Sequence, residues 1–84
     1  MDLDPDLVAL GRGIRRCRKA TSLSQEQLGG EAGLSRNYIG QIERGEREPK
    51  IKSLIAIARA LGPEAKIWGH IGEALAEASG RTTT

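Results

Sequence analysis

Four polar side chains between positions 36 and 44 have the chemistry needed to contact DNA. They are Arg36, Asn37, Gln41 and Arg44. An arginine can donate two hydrogen bonds to guanine O6 and N7, and an asparagine or glutamine can pair with adenine N6 and N7. On a helix that advances about 100° per residue, these four share one side with Gly40. The opposite side carries the less polar residues Tyr38, Ile39 and Ile42. The spacing therefore predicts a helix with one buried face and one face suited to base recognition.

Two short helices and a tight turn must position this face. Ser24 can accept a hydrogen bond from the backbone of Gln27, whose side chain can reach back in a capping box. Gly33 can end that helix in the left-handed conformation. Ser35 can cap the next helix, which we expect to end at Gly45. The pattern predicts a helix-turn-helix, the arrangement that presents a helix to the major groove of DNA.

Helices are also predicted on both sides of this pair. Asp4 can cap a first helix that begins at Pro5 and runs to about Ala20. Apolar residues at helical spacing predict a fourth helix over 51–61, closed by Gly62.

A fifth helix is expected over residues 63–79. These elements predict an all-α protein with a single compact domain over residues 1–80. Residues 81–84 contain no apolar side chain to anchor them, so we expect them to form a disordered tail.

The segment from about Arg12 to Leu61 resembles the phage-repressor type of helix-turn-helix, the XRE family of transcriptional regulators. The resemblance rests on several stretches together: residues 14–18, 23–28, 32–35, 39–45, Pro49 and 54–61. It covers about three fifths of the chain. It implies a compact domain of five helices that binds a palindromic operator in double-stranded DNA as a homodimer.

The resemblance also implies roles for individual residues. Those that would face bases are Arg36, Asn37 and Gln41. Those that would hold phosphates are Gln25, Arg44 and Arg47. Matching family positions commonly form an internal ion pair, which here would join Arg18 to Glu43. Tyr38 sits on the inner side of its helix, where it can pack while its hydroxyl reaches a phosphate.

The fifth predicted helix carries an apolar stripe that needs a partner. It includes Trp68, Ile71 and Leu75. One interpretation packs the whole stripe against the chain's own core. The interpretation that we favour places these three residues in a two-fold dimer interface, because dimers of such domains must set their half-sites about one DNA turn apart.

Charge and composition agree with a DNA-binding domain. The 84 residues carry a net charge of +2, but the basic residues gather between positions 12 and 59, where eleven basic and five acidic residues give +6. No segment is long and apolar enough to span a membrane, and the acidic N-terminus is unlike a secretory signal, so we expect a cytoplasmic protein.

Catalytic and metal-dependent functions find no support in the sequence. The only histidine, His70, has no cysteine or carboxylate cluster at metal-ligand spacing, and the lone cysteine, Cys17, cannot form an internal disulfide. We expect no enzyme activity, no cofactor and no metal site. Cys17 falls on an apolar helix face, which favours a core residue over a redox sensor.

The sequence therefore predicts a sequence-specific transcriptional regulator, most simply a repressor. Two alternatives remain at this point: a helix-turn-helix module that binds protein without recognising DNA, and the antitoxin of a toxin-antitoxin pair. A phage-type or chromosomal repressor and a controller of a restriction-modification operon are further settings for the same activity. No feature of the sequence separates these settings.

Overall fold

Residues 2–80, described by a computed structural model, form five α-helices and one short 3-10 helix. The α-helices are α1 (Pro5–Ala20), α2 (Gln25–Ala32), α3 (Arg36–Glu43), α4 (Ile51–Leu61) and α5 (Ile67–Ala78). The 3-10 helix (Pro63–Ala65) lies between α4 and α5. No strand occurs in this part of the chain, and the all-helical prediction is confirmed. The predicted disordered tail, residues 81–84, lies outside the described residues.

Side-chain caps begin the first three helices. The Asp4 carboxylate accepts a hydrogen bond of 2.8 Å from the backbone N–H of Asp6. The capping box at α2 is complete, with Ser24 Oγ accepting from Gln27 N at 3.0 Å and Gln27 Oε1 accepting from Ser24 N at 2.8 Å. Ser35 Oγ accepts from the backbone three residues later at 3.0 Å. These bonds satisfy backbone donors that a helix start leaves without partners.

The turn between α2 and α3 depends on a left-handed glycine. Gly33 has a φ of 71°, a conformation in which a residue with a Cβ is strained. The next residue, Leu34, donates its backbone N–H to the Gly29 carbonyl at 2.8 Å. Helix α3 ends at Glu43 rather than at the predicted Gly45, which adopts a φ of 75° in the turn that follows.

One hydrophobic core joins all five α-helices. Its fully buried side chains include those of Ile14, Cys17, Leu28, Ile39, Ile42 and Ile57. The Cys17 thiol donates to the Ala65 carbonyl at 3.3 Å, and burial raises the pKa of this thiol above its usual value. A raised pKa disfavours the reactive thiolate, so the environment of Cys17 is that of a core residue.

The fifth helix differs from its prediction at its N-terminal end. A single helix over 63–79 is wrong, because the chain forms a 3-10 turn and then adopts a left-handed conformation at Lys66, with a φ of 53°. This break redirects the chain so that α5 lies along α1, with Ile71 and Ala74 buried. Arg16 on α1 and Glu77 on α5 then form an exposed ion pair at 2.7 Å. Packing against α1 therefore overrides the continuous helical spacing of the sequence.

Candidate nucleic-acid interface

The polar face of α3 is exposed while its opposite face is locked into the core. Ile39 and Ile42 are 0% and 1% exposed, whereas Arg36 and Asn37 are exposed and Gln41 is half-buried. Because the helix is held through its apolar residues, the polar side chains are free to meet a ligand. The structure thus brings Arg36 and Asn37 together on one exposed surface, while Gln41, the third residue predicted to read bases, is less accessible.

A notch in this surface collects residues from two helices. It is lined by Gln25 at the start of α2 and by Arg36, Asn37, Gly40 and Arg44 of α3 and its C-cap. A Cβ at position 40 would lie 2.9 Å from Arg44 Nη1 and 3.6 Å from Gln25 Oε1. The glycine therefore leaves room for two polar side chains to lie over the middle of the helix.

Below the notch, a buried ion pair connects α1 to the end of α3. Arg18 donates from Nε to Glu43 Oε2 at 2.6 Å and from Nη2 to Glu43 Oε1 at 2.9 Å. Its Nη1 donates to the Leu23 carbonyl at 2.8 Å. The two side chains are only 10% and 2% exposed. The hydrogen bonds to Glu43 raise the pKa of Arg18, so the guanidinium stays charged.

The same carboxylate orients Gln25. Gln25 Nε2 donates to Glu43 Oε1 at 3.0 Å. A carboxylate can only accept hydrogen bonds, so the amide nitrogen must face Glu43 and the amide oxygen must face away from it. Gln25 Oε1 accordingly lies on the side of Gly40. The Gln25 amide thus connects the buried ion pair to the notch at the surface.

Arg44 is also held by a carboxylate, but at the surface. Its guanidinium donates from Nε to Glu46 Oε2 at 2.8 Å and from Nη2 to Glu46 Oε1 at 3.1 Å. Both side chains are about half exposed. This pair raises the pKa of Arg44 and lowers the pKa of Glu46.

Tyr38 and Arg47, both predicted to contact phosphates, lie together at another edge of the surface. The Arg47 guanidinium carbon is 5.3 Å from the centroid of the Tyr38 ring, a cation–π distance. The Tyr38 hydroxyl accepts from the backbone N–H of Lys50 at 3.3 Å. Hydrogen bonding by Ser53, then by the Lys50 backbone, and the positive charges of Arg47 and Lys50 lower the pKa of this hydroxyl.

Sequence reasoning missed several neighbours of the predicted residues. Glu46 belongs to a loop after α3, and no periodic pattern connects it to Arg44. Lys50 and Ser53 lie near Tyr38 because the start of α4 comes close to this residue of α3. The three residues predicted to form the dimer interface do not lie on one exposed surface. Ile71 is 7% exposed and belongs to the core, whereas Trp68 and Leu75 are 57% and 37% exposed.

Known proteins are similar to this chain in sequence and in fold. A family model described as helix-turn-helix matches residues 14–65, more than half of the chain. The chain belongs to this XRE-type helix-turn-helix family. The control protein C.SmaI of Serratia marcescens is 46% identical over 52 residues, which are 62% of this chain and 62% of that protein. The immunity repressor of Bacillus phage phi105 is 42% identical over 66% of this chain and 38% of the repressor. The chain therefore spans less than two thirds of either relative.

A similar solved structure covers more of this chain. The restriction-modification controller protein C.AhdI of Aeromonas hydrophila superimposes with a TM-score of 0.69 at 40% identity. The match covers 74% of this chain and 94% of that protein. Among residues 2–80, no helix combines the length and the apolar character needed to cross a membrane.

The buried ion pair provides a test of how this helix-turn-helix surface is held. Arg18→Met leaves the Glu43 carboxylate buried with Gln25 as its remaining side-chain donor, so we expect a loss of about 3–5 kcal/mol in the free energy of unfolding. The double variant Arg18→Met, Glu43→Leu should lose less, because no buried charge is left without a partner. Urea unfolding of Arg18→Met, of Glu43→Leu and of the double variant measures this coupling.

The exposed pair between Arg16 and Glu77 is the matched control, since it also joins two helices but stands in water. Removing either of its members should change the unfolding free energy far less. Additive effects of the Arg18 and Glu43 substitutions would contradict a coupled buried pair.

Proposed function

We propose that this chain is a sequence-specific transcriptional regulator that binds a palindromic operator as a homodimer. The observation that carries the proposal is the polar face of α3, where Arg36 and Asn37 are exposed and Gln41 is half-buried on a helix whose other side packs in the core. A protein-binding surface would expose apolar groups there instead. The basic excess between residues 12 and 59 supports the same conclusion, because phosphate contact requires positive charge.

In the proposed complex, α3 lies in the major groove. Arg36 pairs with a guanine, and Asn37 and Gln41 pair with adenines. The residues assigned to the phosphates on either side of the groove are Gln25, Tyr38, Arg44 and Arg47. Their contacts set the register of the protein on the duplex without carrying sequence information themselves.

The dimer interface is proposed for the exposed apolar side of α5 and the adjoining part of α4. Trp68 and Leu75 lie seven residues apart on one side of α5, and Trp68 also borders a groove with Ile55, Ala58 and Pro63. Ile55 on α4 is itself 39% exposed. An apolar patch on a domain of this size is well suited to a self-complementary two-fold contact.

Control of a restriction-modification operon is the setting that the comparisons favour. C.SmaI and C.AhdI bear the names of controller proteins, and this chain covers 94% of C.AhdI but only 38% of the phage phi105 repressor. In the proposed setting, occupancy of the operator follows the concentration of the protein through dimerisation.

Two arginine variants should separate base recognition from phosphate binding. Arg36→Ala should cost about 1–3 kcal/mol against the duplex that wild type selects, with little loss on random duplex, because it removes a contact to a base. Arg44→Ala should weaken binding to both duplexes and reduce the salt dependence, because it removes a phosphate contact. Fluorescence anisotropy titrations of labelled duplexes at several salt concentrations measure both quantities. Equal losses for Arg36→Ala on the two duplexes would remove Arg36 from the base-reading set.

Trp68→Ala should shift the protein from dimer to monomer, because it removes the largest exposed apolar side chain of the proposed interface. Sedimentation equilibrium measures the shift. Trp68 is the only tryptophan, so the emission of wild type should move to shorter wavelength as dimers form with rising concentration.

Leu3→Ala is the control for this experiment, because Leu3 is a 44% exposed apolar residue ahead of α1. It should leave the association constant unchanged. An unaltered dimer in the Trp68 variant would place the interface elsewhere.

A further inference from the structure

The two edges of the Arg44 guanidinium face different neighbours. Its Nε and Nη2 edge is bound by both oxygens of Glu46. Its Nη1 makes no hydrogen bond within residues 2–80 and reaches over Gly40 into the notch lined by Gln25, Arg36 and Asn37. A bidentate contact fixes the plane of a guanidinium as well as its position. The free Nη1 therefore has a defined direction, toward the surface proposed to meet DNA.

Gly40 is the second half of this arrangement. The atom that its missing Cβ would meet most closely is Arg44 Nη1, at 2.9 Å. That atom is the end of a flexible side chain, so a larger residue at position 40 would displace the guanidinium without forcing the backbone to move. The helical backbone at Gly40 has no positive φ that would itself require glycine. Glycine at position 40 therefore matters because the absence of a Cβ leaves room for Arg44 Nη1.

We propose that Glu46 and Gly40 position Arg44 for one phosphate of the operator and thereby raise discrimination between the operator and other DNA. The inference rests on the proposed function and adds two positioning residues to it. Glu46 holds one edge of the guanidinium, and Gly40 leaves the space into which the other edge points.

The charge of Glu46 also acts on DNA directly. A carboxylate at a DNA-facing surface repels phosphates in every complex, whichever sequence is bound. In the operator complex this cost is offset by an arginine that is already oriented, so less conformational freedom is lost on binding. In loosely docked complexes on other sequences Arg44 still meets phosphates, but its fixed direction matches none of them closely, so the repulsion outweighs the benefit of orienting it. Glu46 should therefore weaken random binding while it strengthens operator binding.

Opposite effects on two duplexes test the proposal. The operator probe is the duplex that the wild-type chain enriches from a random pool, and the second probe is random duplex of equal length. Glu46→Ala should lower affinity for the operator probe about fivefold, the scale of a well-formed surface ion pair. It should raise affinity for random duplex about twofold, because one repulsive charge is lost. A merely structural role would move both affinities in the same direction.

Glu48→Ala is the matched control. It removes an exposed carboxylate two residues away that forms no ion pair within the described part of the chain. It should raise both affinities or leave both unchanged. If Glu46→Ala instead behaves like Glu48→Ala, Glu46 only screens charge and the proposal is overturned.

Gly40→Ala tests the arrangement from its other side. It should reduce operator affinity as Glu46→Ala does, with a urea midpoint no lower than that of wild type, because only the end of Arg44 must move and alanine favours the helix more than glycine does. Operator affinity equal to wild type would refute the role of Gly40. If the wild-type chain shows no preference among duplexes, the proposed function fails, and this inference fails with it. If wild type discriminates and the variants do not differ from it, the inference alone fails.

Discussion

The buried contact between Arg18 and Glu43 is the interaction on which the surface of α3 depends. It joins the last turn of α1 to the last residue of α3 through two short hydrogen bonds. Two charges taken out of water stabilise a fold only when their geometry is good and their remaining groups are satisfied. Both conditions are met here, since the third Arg18 donor goes to Leu23 and Glu43 also accepts from Gln25.

Two carboxylates, one buried and one exposed, orient polar side chains beside α3. Glu43 lies beneath the surface and orients Gln25, while Glu46 lies at the surface and orients Arg44. Each negative charge reduces the attraction for phosphates in general but fixes a polar side chain in one direction. Recognition of one sequence requires fixed directions more than it requires strong attraction. The moderate net charge of +2 is consistent with that balance.

Most of the fold could be predicted from local signals. The caps at Asp4, Ser24 and Ser35 and the glycine at position 33 act through neighbours in sequence, and the structure contains each of them. The break at Lys66 could not be predicted in this way, because it depends on α5 reaching α1.

In the candidate site, too, local features could be predicted from the sequence and features that depend on tertiary packing could not. Angular spacing alone placed Arg36 and Asn37 on the exposed side of α3. The pairing of Arg44 with Glu46 and the approach of Lys50 to Tyr38 arise from loop and helix packing, for which the sequence has no periodic signal. Ile71 and Trp68 are only about 60° apart on α5, so spacing could not decide which of them enters the core. The roles of these residues in binding DNA or a second copy stay predictions.

Selection of bound sequences from a random DNA pool at physiological salt, followed by sequencing, tests the central claim most directly. A dimer whose α3 helices enter successive major grooves should enrich a palindrome with half-sites roughly 10 base pairs apart. We expect this motif, and its sequence would identify the operator. Failure of the folded protein to enrich any motif would contradict sequence-specific DNA binding and would instead favour a helix-turn-helix module that binds protein.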